Sequence, residues 1–120
     1  MEYKFKQILS LDERKEEFQK VLSEANGKIP VICEKDPYSN IEQLNKIKYL
    51  VSPEMKVNQF KSLLRRKLKL NKENAIFFMA NGKNIIVGTE LFSEIYNKFK
   101  DEDGFLYITY STELTWGYNN

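Results

Sequence analysis

Ile29-Pro30-Val31-Ile32-Cys33-Glu34-Lys35 is dense in β-branched side chains and stops at Asp36-Pro37-Tyr38-Ser39-Asn40, a run of turn formers. It reads as a strand. Pro30 has no N–H, so it belongs at the strand's start or on an unpaired side. Downstream, Lys46-Ile47-Lys48-Tyr49-Leu50-Val51 reads as a second strand ended by Ser52-Pro53, with Lys46, Lys48 and Leu50 on one face and Ile47, Tyr49 and Val51 on the other. Val57, Phe60, Leu63, Leu64 and Leu68 then mark one face of a helix, with Lys61, Arg65, Arg66 and Lys69 on much of the remainder. A buried strand is expected at 75 to 80, followed by Asn81-Gly82, a dipeptide suited to a type I′ turn, and a brief return through Ile85-Ile86-Val87. Thr89 is placed to cap a helix carrying Leu91, Phe92, Ile95, Tyr96 and Phe99. Asp101-Glu102-Asp103-Gly104 breaks that helix before a last strand, Phe105 to Tyr110.

Upstream of the first strand, Ser10-Leu11-Asp12-Glu13 has the form of a capping box. The spacing of Leu11, Phe18, Val21, Leu22 and Ala25 predicts an amphipathic helix over 11–25, ended by Asn26-Gly27. Tyr3, Phe5 and Ile8 fit a short preceding helix, while alternation of Tyr3, Phe5 and Gln7 fits a strand. The order helix, strand, strand, helix, strand, helix, strand indicates an α+β fold. A hairpin, a helix laid across the sheet and a final strand returning beside the first is the plan of a β-grasp.

Composition narrows the chemistry. The 120 residues suit one domain, and 42% hydrophobic with 30% charged residues describes an ordinary globular chain. With 19 basic and 17 acidic residues the net charge is only +2, too balanced for a basic-patch nucleic-acid binder. The absence of histidine and the single Cys33 leave no imidazole for a Ser-His-Asp or Cys-His site and too few ligands for the usual zinc sites. A carboxylate-pair hydrolase is formally open, but the acidic residues sit in charge-mixed helical or loop sequence. A non-enzyme without metal or cofactor is expected. The charged start Met1-Glu2-Tyr3-Lys4-Phe5-Lys6 is unlike a secretory signal, and Ala75-Ile76-Phe77-Phe78-Met79-Ala80 falls far short of the ~20 residues that span a bilayer. The expectation is a cytoplasmic protein whose membrane attachment needs something covalent.

Several blocks occur in an ordered series: Ile29-Pro30-Val31-Ile32 with Glu34-Lys35, Lys48-Tyr49-Leu50-Val51, Gln59-Phe60, Leu63 with Arg65-Arg66, Ile76-Phe77-Phe78, Asp103-Gly104-Phe105-Leu106-Tyr107-Ile108, and Tyr110-Ser111. By these the chain, from about Phe5 to Gly117, resembles the autophagy ubiquitin-like modifiers, the group that includes microtubule-associated protein light chain and GABA-receptor-associated protein. The resemblance implies a ubiquitin-like β-grasp core over 27–111, an N-terminal extension of two additional helices over 1–26, and a C-terminal tail over 112–120 that is exposed and mobile.

It also implies a use for the tail. In the family a cysteine protease cuts after a glycine preceded by an aromatic residue, and activating and conjugating enzymes join that glycine to phosphatidylethanolamine. Trp116-Gly117 fits, leaving Tyr118-Asn119-Asn120 to be removed. Glycine suits a terminus threaded through narrow active sites, because its backbone lacks the Cβ restriction. By itself a glycine near a C-terminus means only a frayed tail. Two acyl chains are about what stable anchoring needs. Cytoplasmic before lipidation and on autophagosomal and related membranes after it is the localisation implied.

The second implied role is binding receptors and adaptors that carry aromatic-x-x-aliphatic motifs, added as a strand to the second strand's edge. By resemblance Glu17, Val21, Pro30, Lys48, Leu50 and Phe105 line an aromatic pocket, and Tyr49, Val51, Met55, Phe60 and Leu63 an aliphatic one. Lys28, Lys46, Lys48 and Lys67 would attract acidic residues flanking such peptides. Spacing alone reads Phe60 and Leu63 as core, Lys46 and Lys48 as a solvated face, Arg65-Arg66-Lys67 as the wet side of a helix and Cys33 as a small buried hydrophobe. Departures from the family pattern are Leu9-Ser10 in place of His-Pro, the shifted Ser52-Pro53, Lys56 where a threonine often caps, and one extra residue around Asn84 to Gly88. The alternatives are an unconjugated β-grasp peptide-binding module and a ubiquitin-like tag on protein lysines.

Overall fold

The structure, a computed structural model, describes residues 3–71 and 73–112. Two short N-terminal helices, α1 (Lys4–Ile8) and α2 (Leu11–Ser23), precede β1 (Ile29–Lys35) and β2 (Lys48–Val51). Then come α3 (Val57–Lys67), β3 (Phe77–Ala80), β4 (Asn84–Ile85), α4 (Phe92–Phe99) and β5 (Leu106–Ser111). The sheet order is β2-β1-β5-β3-β4. β1 runs antiparallel to β2 and parallel to β5, the returning strand of a β-grasp. The expected α+β class and the two added helices are what forms. Pro30 is tolerated because the ladder with β5 begins only at Val31.

Alternation along β1 and β5 divides the interior in two. Val31, Cys33, Leu106, Ile108 and Tyr110 face α3 and α4, where they join Val57, Phe60, Leu64, Phe92 and Ile95 in the larger core. Ile32, Phe105 and Tyr107 face the N-terminal helices and close with Tyr3 and Phe5 into a small aromatic cluster. Cys33 is fully buried, and burial pushes its thiol well up.

Several boundaries differ from those the sequence suggests. The N-terminal segment is helix, held by the Glu34 carboxylate, which accepts from the Lys4 and Phe5 N–H groups at 2.8 and 3.0 Å. The Ser10–Glu13 capping box forms as expected, but α2 presents Arg14 inward and leaves Leu22 43% exposed. β2 starts at Lys48 instead of Lys46, and Ile47 packs with the Phe5 cluster, not on the Tyr49 face. The Cys33 N–H still donates to the Ile47 carbonyl at 2.8 Å, so the backbone stays paired one residue before the strand while the side-chain alternation breaks there. β3 begins at Phe77 and its burial alternates, because its α1/α2-side face is only partly covered. Thr89 does not cap α4: the helix starts at Phe92, and the Glu94 carboxylate accepts from the Leu91 N–H at 2.9 Å. The weak cap at Lys56 is compensated from afar, since the Val57 and Asn58 N–H groups donate to the carbonyls of Glu90 and Gly88 at 3.0 and 2.9 Å.

Candidate functional site at the β2 edge

β2 is the outer strand of the sheet, so the peptide groups pointing away from β1 form an edge that another strand can pair with. Its four residues send side chains to both sides. Lys48 and Leu50 lie on the α2 side, across from Ile32 and Pro30, and Tyr49 and Val51 lie on the α3 side, across from Val31 and Ile29.

On the α2 side a cavity of about 330 Å³ is lined by Val21, Lys46, Lys48, Tyr49, Leu50 and Phe105. Its depth comes from Phe105, which is fully buried and held edge-on by Phe5 and Phe18, each with ring centroids 5.4 Å away. Gly104 permits that placement: its φ is +103°, and a Cβ there would stand 2.5 Å from the Phe18 ring. Of the six residues expected to form the aromatic pocket, Val21, Lys48, Leu50 and Phe105 meet in this cavity. Pro30 is buried behind Leu50, its register partner. Glu17 acts at one remove, accepting from Lys48 Nζ at 2.5 Å. That hydrogen bond is the main reason its carboxyl sits below the ordinary 4.5. The Lys48 ammonium also stands 5.7 Å from the Phe5 ring centre, so one side chain bridges α2, β2 and α1.

On the α3 side, Val51 and Phe60 are buried core residues at 3% and 2% exposure, as spacing alone suggests for Phe60. Tyr49, Met55 and Leu63 are half-buried and pack against that core. Val51 and Phe60 thus belong to the core that the three partly exposed side chains lie against. Tyr49 is fixed at both ends: its ring meets Phe60 edge-on at 5.6 Å and its hydroxyl donates to the Lys46 carbonyl at 2.8 Å. Burial pushes that hydroxyl's pKa up to about 12, which keeps it a neutral donor.

Lys46 and Lys67 converge on the Tyr49 ring, with ammonium groups 5.2 and 5.9 Å from its centre. They line a hollow of about 230 Å³ with Glu42, Leu44 and Leu68. Lys28 is not part of this group. It precedes Ile29, the partner of Val51, and so sits at the opposite end of the edge from Lys46. Trp116 and Gly117, with the trailing Tyr118-Asn119-Asn120, lie outside the described residues.

Sequence reasoning overlooked the tie that positions α2 behind the cavity. Arg14 Nε donates to Asp103 Oδ2 at 2.8 Å; the same oxygen accepts from the Tyr107 hydroxyl, and the other carboxylate oxygen accepts from the Phe105 N–H at 2.8 Å. The signal was present. Leu11, Arg14, Phe18, Val21 and Ala25 keep helical spacing, and a charged residue on such a stripe implies a buried partner.

The family described as "Autophagy protein Atg8 ubiquitin like" matches residues 13–117 of the chain. Autophagy-related protein 8 of Cochliobolus heterostrophus is 44% identical over 118 residues, covering 98% of each chain. The protein of that name from Candida glabrata is 40% identical, covering 98% of this chain and 99% of its own. Among solved structures, Trypanosoma brucei ATG8 is similar with a TM-score of 0.85 and 36% identity, covering 92% of this chain and 95% of that one. With the β-grasp core, the two added helices and a match over most of its length, the chain belongs to the Atg8 family of autophagy ubiquitin-like proteins.

Proposed function

We propose that this ubiquitin-like modifier is cut after Gly117 by a cysteine protease and joined through that glycine to phosphatidylethanolamine by activating and conjugating enzymes. On autophagosomal membranes it then recruits receptors and adaptors that carry aromatic-x-x-aliphatic motifs. The reactions belong to those other proteins, and this chain supplies the terminus and the docking edge. The observation that carries the binding half is the outer strand β2, with a cavity over Phe105 on one side and the Tyr49–Val51–Phe60 surface on the other. An added strand would place an aromatic side chain in the first and an aliphatic one, three residues on, against the second. Lys46 and Lys67 favour acidic neighbours of the motif. The tail half is supported by Trp116-Gly117 and by the extent of the family match, which ends on Gly117.

No helix among the described residues is long and apolar enough to cross a membrane; the proposed lipid supplies the anchor, its two acyl chains holding where one alone is marginal. The test is intact mass and C-terminal peptide mapping of the protein from soluble and membrane fractions of its own cells, beside a Gly117→Ala variant. A chain ending at Gly117, with a phospholipid-bearing form in membranes that the variant lacks, is the expected result. Only intact Asn120, in starved as in growing cells, would overturn the conjugation half and leave an unconjugated peptide-binding module.

A further inference from the structure

Ser52-Pro53 is the only Ser-Pro or Thr-Pro dipeptide in the sequence, and it stands at the end of β2. Proline-directed kinases seat the residue after the acceptor where an N–H would be left without a partner, and proline has none. Val51 is the last residue of β2 in register with β1, so Ser52 lies outside the ladder. Its carbonyl closes a turn by accepting from the Met55 N–H at 3.0 Å. The serine hydroxyl donates to Glu54 Oε2 at 2.9 Å in an exposed hydrogen bond, which places the acceptor oxygen at the surface.

The surrounding charges suit an anion. Continuing the register one residue past Ile29 and Val51 sets Lys28 opposite Ser52, and residues opposite each other on antiparallel strands stand about 4.5–5.5 Å apart at Cα. Lys56 follows just after the same turn. Both lysines are exposed, and neither forms an ion pair among the described residues. Ser52 also lies on the docking path. Lys46 to Leu50 line the aromatic cavity, while the aliphatic surface extends to Met55. A motif seated on both runs in the direction of β2, and the residues after its aliphatic side chain leave past Ser52.

We infer that Ser52 is a phosphorylation site for a proline-directed kinase, and that its phosphate sets which charges are accepted just after the aliphatic residue of a bound motif. The effect on binding rests on the peptide-binding reading given above. In the transfer, Ser52 Oγ attacks the γ-phosphorus of a nucleoside triphosphate held by the kinase. The new O–P bond forms as the bond to the β–γ bridging oxygen breaks, nucleoside diphosphate leaves, and the hydroxyl proton passes to the kinase's catalytic aspartate. Esterification removes the donor that Glu54 accepts from, and the roughly two negative charges gained at neutral pH turn from Glu54 toward Lys28 and Lys56. Acidic residues after the motif then meet a like charge, and basic ones an opposite charge.

Treating the full-length protein with a purified proline-directed kinase and ATP tests the site, read by intact mass and peptide mapping. One phosphate is expected on Ser52. Ser52→Ala and Pro53→Ala should both lose it while staying folded by circular dichroism, since Pro53→Ala keeps the carbonyl that accepts from the Ser93 N–H. No phosphate, a phosphate mapped elsewhere, or undiminished labelling of Pro53→Ala would overturn the site. Calorimetry on the unmodified and the phosphorylated protein then uses two peptides with a Phe-Glu-Glu-Leu core, one continuing with two glutamates and the other with two lysines. The phosphate should weaken the glutamate peptide about fivefold relative to the lysine peptide. That difference should vanish in about 1 M salt, where the screening length falls to about 3 Å. An equal change for both peptides, or none, would overturn the effect on binding. If neither peptide binds the unmodified protein, the peptide-binding reading fails and takes that effect with it, while the mass result still decides the site.

Discussion

The two faces of the sheet are closed in different ways. Toward α3 and α4, aliphatic and aromatic side chains from four strands and two helices interlock, and few polar groups intrude. Toward α1 and α2 the apolar cluster is small, and polar ties complete the closure. These are Glu34 at the start of α1, Lys6 on Asp101, Arg14 on Asp103, and the Tyr3 hydroxyl with Thr109. Helices fastened by a few directional contacts cannot fill the space beside them, and the cavity over Phe105 and another of about 330 Å³ between α1 and Ile47 lie on that side. The α3 side of β2 offers the firmer Tyr49–Val51–Phe60 surface and a smaller hollow of about 230 Å³ beside Lys67.

That contrast can be broken by experiment. The largest loss is expected from Phe92→Ala, which empties a fully buried site whose ring lies 5.4 Å from Phe60. Urea unfolding should show a destabilisation of about 3–5 kcal/mol. A loss under about 1 kcal/mol would deny that apolar interlocking dominates the α3/α4 face. Asp103→Asn attacks the other face through charge, leaving the Arg14 guanidinium buried without its carboxylate. A loss of about 3 kcal/mol is expected. Arg14→Met should cost less, because the uncompensated buried cation is then absent; the reverse order would show that the tie is not electrostatic.

Smaller effects sharpen the picture at β2. Leu50, 39% exposed, can be truncated without emptying the core. Leu50→Ala and Tyr49→Ala should each leave the domain folded by circular dichroism yet weaken an aromatic-x-x-aliphatic peptide at least tenfold, about 1.4 kcal/mol. Unchanged affinity by calorimetry would remove the pocket assignment. The smallest effect is the pH dependence of the Glu17–Lys48 pair. Its carboxyl is held below 4.5 in the folded protein, so its contribution is complete above 4.5 and is lost as pH falls through the lowered folded value. The pair is partly solvated, so the loss should stay under about 1 kcal/mol. Glu17→Gln should flatten the stability curve in that window, and an identical curve for the variant would place the acid sensitivity elsewhere.

The site was legible in unequal parts. Val21, Lys48, Leu50 and Phe105 line one cavity; Lys48, Leu50 and Phe105 fall within the family blocks, while Val21 is reached through the α2 stripe. Lys28 was grouped with Lys46 by charge alone, and charge says nothing about which end of an antiparallel strand a residue occupies. The cavity under α1 was not visible at all. It needs Ile47 on the Phe5 side, and alternation read from Lys48 to Val51 places Ile47 on the other.

What the sequence determined by itself is what neighbours along the chain can settle: the Ser10–Glu13 cap, the α3 stripe, the extended run from Ile29, and the turn at Asn81 and Gly82, both with positive φ. Each depends on residues within about one or two turns of each other. The tertiary structure alone decided the rest. Arg14 is buried because Asp103 waits 89 residues away. α3 begins at Val57 despite a poor cap because Gly88 and Glu90 lend it carbonyls. β1 finds β5 because the peptide groups on its edge away from β2 must be paired once they are buried. Local pattern sets which elements exist, while the partners that satisfy buried charges and orphan backbone groups come from distant chain and are chosen only when the fold closes.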